Sequence, residues 1–162
     1  MLSEFSLIDR FFARRAAAAP RADDGSLGIG DDCALLAPRR GEMLAISTDM
    51  LVEGRHFFPD VDPEALGHKA LAVNLSDLAA KGAEPFGYLL ACHWSPRCGW
   101  PERELFVRGL AEDQARFGMH LLGGDTVSTP GPLSLSLTAL GWTPSGRTVS
   151  RSGAQPGDHA VA

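Results

Sequence analysis

The sequence predicts an α+β fold, an about four-stranded mixed sheet with helices on one face, and three observations carry that expectation. From Leu133 to Ala139, leucine or alanine alternates with Ser134, Ser136 and Thr138, the period of two of a half-buried strand. Residues 63–82 and 101–118 each begin at a proline, end at a glycine and repeat apolar side chains at helical spacing. Runs of strand character, Met43 to Thr48 and Phe86 to Trp94, are interleaved with those two helices.

Taken in order, Ser6 caps a helix through Leu7, Ile8, Phe11 and Phe12 into the alanines 16–19, and Pro20 ends it. A loop follows. Leu27 to Leu36 reads as a glycine-bracketed pair of acids, Asp31 and Asp32, leading into a short strand. Pro38 to Gly41 reads as a hairpin turn, and the returning strand delivers Ser47, Thr48 and Asp49 at its end. Residues 50–60 form an ordered loop containing Glu53, Gly54, Arg55, His56 and Phe57.

The central helix has Asp62 as N-cap, Pro63 in its first turn and Gly82 as a left-handed stop. At about 100° per residue, Asn74, Asp77 and Lys81 share a face beside an apolar stripe of Leu71, Leu75 and Leu78. A carboxylate in the last turns is disfavoured by the helix dipole, so Asp77 needs a partner, either Lys81 one turn on or a metal ion. After the strand from Phe86 to Trp94, a second helix runs from Pro101 through Leu105, Phe106, Leu110 and Phe117 to Gly118. Met119 to Leu122 is a short extended run feeding Gly123, Gly124, Asp125 and Thr126. Residues 146–158 read as loop and 160–162 as the start of a strand.

At 162 residues, 44% hydrophobic and 22% charged, the chain is one domain of ordinary globular composition. No apolar run reaches the length of a membrane span and the N-terminus lacks a signal peptide's apolar block, so no membrane partner is expected and a cytoplasmic location is the expectation. A net charge of −5 without a basic stripe argues against nucleic acid. Cys33, Cys92 and Cys98 are an odd number without framework spacing and read as reduced thiols.

Four acidic motifs stand out: Asp31-Asp32 after Gly30, Ser47-Thr48-Asp49, Asn74 with Asp77, and Gly124-Asp125-Thr126. If they converge, each pair of carboxylates about 5 Å apart repels by about 3 kcal/mol at an effective dielectric near 20, tolerable only around cations. Every candidate ligand is an oxygen, which suits magnesium or another hard divalent ion. The neighbouring glycines allow backbone amides to approach an anion closely. No P-loop and no G-x-S-x-G elbow is present.

These motifs, together with Leu27 to Leu36, Ala45 to Asp49, Gly54 to Phe57, Lys69 to Ala80, Gly123 to Thr126 and Arg151 to Asp158, resemble the bacterial thiamine-monophosphate kinases of the aminoimidazole ribonucleotide synthetase superfamily. The resemblance implies ATP-dependent phosphorylation of thiamine monophosphate to thiamine diphosphate, with magnesium. It implies a metal site of Asp32, Ser47, Thr48, Asp49, Asp77 and Asp125, a nucleotide site of Gly124, Asp125 and Arg151, and contact of His56 with thiamine monophosphate. Asp31 is implied less directly, as a group orienting Asp32 or a water, and Arg55 and Lys81 depart from the family's usual residues. The acceptor phosphate is already ionised, so no general base is expected.

By the same resemblance, residues 1–157 are an N-terminal ATP- and magnesium-binding and dimerisation domain, and 158–162 begin a C-terminal domain. Two such domains form a homodimer, their sheets closing into a barrel. The row on Leu133 to Leu140 is expected to offer the apolar surface for that pairing. The alternatives are another enzyme of the superfamily, such as aminoimidazole ribonucleotide or selenophosphate synthetase, or an inactive metal-binding dimerisation module.

Overall fold

Alternation along one central strand organises the sheet. The computed structural model describes residue 29 and residues 32–159. Its elements are β1 (Glu42–Val52), α1 (Pro63–Ala80), β2 (Glu84–Trp94), α2 (Trp100–Phe117), β3 (His120–Ser128) and β4 (Ser134–Pro144). The strand order is β1-β4-β2-β3, with β4 antiparallel to both neighbours and β2 parallel to β3. Leu135, Leu137 and Ala139 of β4 lie across from Tyr88, Leu90 and Cys92 of β2, and all six are buried on the face that carries the helices.

α1 lies against β4 and β1, and α2 packs on α1. The two helices touch through glycines: a Cβ at Gly67 would sit 2.2 Å from the Phe106 carbonyl oxygen, and one at Gly109 2.2 Å from that of Glu64. Arg108 clamps the crossing by donating to both carboxylate oxygens of Glu64. At the sheet end of α2, Phe106 meets Trp94 edge to face at 5.6 Å, while the Trp94 indole donates to Thr126 Oγ1 at 2.9 Å.

The ends of α1 form as the local chemistry requires. The Asp62 side chain accepts the Glu64 N–H at 3.0 Å, and Gly82 takes φ +64° while its N–H reaches the Ala79 carbonyl at 2.9 Å. Leu71, Leu75 and Leu78 form the predicted buried stripe.

Several expectations are corrected. Residues 32–41 form no strand beyond an isolated bridge at Leu35, and β1 pairs instead with β4 along all eleven residues, from Glu42 opposite Pro144 to Val52 opposite Ser134. β1 continues to Val52, so Ser47, Thr48 and Asp49 lie inside the strand. The short run after Gly118 is a nine-residue strand that contains Gly123, Gly124 and Asp125. Gly124 belongs in it because a Cβ there would lie 1.9 Å from the Leu90 carbonyl oxygen, and its φ of +154° suits glycine. The apolar row of β4 is covered by the helices, whereas on the opposite face Leu44, Ile46 and Met50 of β1, Leu89 of β2 and Val127 of β3 are left exposed. The predicted helix from Ser6 and the strand start at 160–162 lie outside the described residues.

Candidate metal and substrate site

β1 and α1 bring the first donors together. Ser47 Oγ donates to Asp77 Oδ2 at 2.6 Å, joining residues 30 apart in sequence. Ser47 and Asp49 pair with the buried Ala139 and Leu137, so both point to the helix side of the sheet. Lys81 does not pair with Asp77: its Nζ donates to the Val149 carbonyl at 3.2 Å and holds the loop after β4 against the end of α1. The contact to Asp77 is therefore a neutral hydroxyl, at a helix end with no basic residue in its last turn. A hard cation fits this donor set on its chemistry, since it would supply the missing positive charge.

Thr48 and Asp125 face the other way. Thr48 Oγ1 lies 3.0 Å from Thr138 Oγ1 on the open face. Asp125 pairs with Ala91 on that same face, and its carboxylate accepts the Thr126 N–H at 2.8 Å. β1 and β3 are the outer strands, so three inter-strand spacings, on the order of 14 Å along the sheet, separate Asp49 from Asp125. Asp32 and Arg151 are exposed, the latter in the loop that Lys81 anchors. Among the described residues, Ser47 meets Asp77 directly, with Asp49 adjacent on the same face.

His56 meets α1 at Lys69, about two turns before Asp77. Its Nδ1 accepts the Val52 N–H at 3.0 Å, and its carbonyl accepts from Lys69 Nζ. The sequence carries no signal for Lys69 beyond its position in the Lys69 to Ala80 motif. Asn74, which the spacing sets on the same face as Asp77, is fully buried, and its Oδ1 has no partner among the described residues. A cavity of about 100 Å³ behind the His56 loop is lined by Glu53, Phe57, Trp94, Arg97, Cys98 and Leu133. Its buried acid, Glu53, is held by Arg97 and by the Leu133 N–H at 3.2 Å.

Glu64, His68 and Glu112 also bring ligand atoms within 4.8 Å of one another. They already hold protein partners: the hydrogen bond from Arg108 draws the Glu64 carboxyl below its usual range, and His68 Nδ1 lies 3.1 Å from Asp113. This is an ion-pair network across the helix crossing. All three cysteines are free, and burial pushes the Cys92 thiol far up, leaving it inert.

Residues 30–143 match the family described as AIR synthase related protein, N-terminal domain. The chain belongs to that family. Within the AIR synthase-related family it is 51% identical over 155 residues to thiamine-monophosphate kinase of Salmonella typhimurium, covering 96% of this chain and 46% of that protein. The crystal structure of thiamine-monophosphate kinase from Stenotrophomonas maltophilia K279a superposes with a TM-score of 0.74 at 44% identity, over 91% of this chain and 44% of that one. AaThiL complexed with AMPPCP and TMP gives a TM-score of 0.68 at 30% identity, over 95% and 46%. The chain thus spans less than half the length of these relatives. Among the described residues, no helix is long and apolar enough to cross a membrane.

Proposed function

We propose that this chain is the N-terminal, nucleotide- and magnesium-binding unit of a thiamine-monophosphate kinase, which transfers the γ-phosphoryl group of ATP to thiamine monophosphate and yields thiamine diphosphate. The observation that carries this reading is the 51% identity to a thiamine-monophosphate kinase across nearly the whole chain. The relative solved with AMPPCP and TMP supports the same pair of substrates, a nucleoside triphosphate and thiamine monophosphate.

Ser47, Asp49 and Asp77, which share the helix side of the sheet, would hold magnesium, whose contribution is to neutralise charge between two anionic reactants; Thr48 and Asp125, on the open face, do not reach that ion and with Asp32 would serve a second one. Gly124, Asp125 and Arg151 would receive the nucleotide, the glycine by close backbone approach and the arginine by its fork of donors. His56 would meet the acceptor. An ionised oxygen of thiamine monophosphate attacks the γ-phosphorus in line, the new P–O bond forms, and the bond to ADP breaks. The acceptor needs no deprotonation, and no residue is assigned as base. The exposed apolar residues of β1, β2 and β3 support a homodimer paired through the open face of the sheet. The free thiols and the use of ATP favour the cytoplasm.

The test is a product assay on the full-length protein with ATP, magnesium and thiamine monophosphate. Thiamine diphosphate appearing with equimolar ADP is the expected result. ATP turnover with another acceptor of the superfamily and none with thiamine monophosphate would replace this reading.

A further inference from the structure

The loop that carries His56 is fixed beyond what a connection between a strand and a helix requires. Gly54 turns the chain at φ +77° and donates its N–H to the Phe57 carbonyl at 2.8 Å. The amides of Arg55 and His56 both donate to the Val52 carbonyl, at 3.0 and 2.9 Å. Glu53 is pinned to Leu133 through its own N–H at 3.0 Å and through its carboxylate. Phe57 is buried in the core, whereas Arg55 and His56 remain exposed. A loop so held launches both polar side chains from a fixed backbone, and of the two the His56 imidazole is itself held by a hydrogen bond.

The imidazole itself is oriented by a donor whose identity is certain. A backbone N–H only donates, so Nδ1 of His56, at 3.0 Å from the Val52 nitrogen, carries a lone pair and the ring proton lies on Nε2. That Nε2–H is the donor left for a ligand. The His56 carbonyl is held by Lys69 Nζ, thirteen residues on and on the rigid α1. The ammonium also places a positive charge beside the loop, which favours an anionic oxygen as the ligand.

We propose that Lys69 is a positioning residue for recognition of the phosphate acceptor: with the Val52 amide it fixes His56 so that Nε2–H points at an anionic oxygen of that substrate. This rests on the reading that His56 meets the acceptor. Lys69 acts through the loop, and the imidazole makes the contact.

The experiment compares Lys69→Met, Lys69→Arg and His56→Ala in the full-length protein, by amide hydrogen exchange across residues 52–57 and by steady-state kinetics with each substrate varied. Lys69→Met should speed exchange of these amides ~10-fold and raise KM for the acceptor ~10-fold, with kcat and KM for ATP within about twofold of wild type. Lys69→Arg should restore most of both, because its guanidinium can still donate to a carbonyl. His56→Ala should raise the acceptor KM at least as much while leaving Lys69 in place. If His56→Ala raises that KM and Lys69→Met does not, the positioning role is overturned and the substrate reading of His56 stands. Faster exchange in Lys69→Met with an unchanged acceptor KM overturns it as well, reducing Lys69 to a structural tether. If His56→Ala leaves the acceptor KM untouched, the substrate reading itself fails and the proposal falls with it.

Discussion

Asp77 sits where an α-helix least favours a negative charge, in the last turn of α1, and the group that meets it is the uncharged hydroxyl of Ser47 at 2.6 Å. Lys81, the obvious local counterion, is occupied with the Val149 carbonyl. An exposed carboxylate in that position is where the proposed magnesium would bind. Asp77→Asn keeps the shape and removes the charge, so the full-length protein should fold normally and require at least ~10-fold more magnesium for half-maximal activity, with manganese affinity by electron paramagnetic resonance falling in parallel. Identical magnesium dependence in the variant would show that Asp77 is no ligand. The donor types were legible from the sequence because oxygen chemistry is written in the residue names. The Ser47 to Asp77 contact was not, because a bond across 30 residues is made by the packing of α1 on β1 and not by spacing along either.

At the level of elements, what was readable was local. Asp62, Pro63, Gly82 and Gly118 mark the helix ends because caps and left-handed stops are decided within one turn of chain. β3 was underestimated because its partner is β2, reached through all of α2, and because two glycines look like a loop until a neighbouring backbone requires them. The same holds for Gly67 and Gly109, which weaken their helices locally and are explained only by the crossing. An added methyl in an exposed helix position would stabilise by up to ~1 kcal/mol, but here it meets a backbone oxygen at 2.2 Å, and overpacking of ~1–3 kcal/mol should win. Gly67→Ala and Gly109→Ala should each lower Tm by several degrees, on the order of 2–4 °C per kcal/mol for a chain of this size, in thermal unfolding followed by circular dichroism. A rise in Tm for either would show that the helices separate without cost.

One helix spaces two contacts. Lys69 of α1 holds the His56 loop and Asp77 meets Ser47 eight residues further on, about 12 Å at 1.5 Å per residue, so α1 sets the separation between the two. Asp125 and Thr48 lie on the other face of the sheet, beside the apolar side chains that the helices leave uncovered. Covering that face with a second copy would bury Leu44, Ile46, Met50, Leu89 and Val127 and enclose Thr48 and Asp125 at the same time. At ~25 cal/mol per Å², these side chains supply several kcal/mol, and the rest of the ~800 Å² per partner typical of a stable interface must come from the surrounding sheet. The chain should therefore sediment as a dimer at micromolar concentration. Ile46, 64% exposed and central on β1, is the residue whose change should be felt by association and not by folding. Ile46→Lys would set two buried ammonium groups against each other across a twofold axis, so the variant should sediment as a monomer with unchanged far-ultraviolet circular dichroism. A wild-type monomer would remove the open face as a pairing surface. A dimer that survives Ile46→Lys would move the interface elsewhere on the molecule.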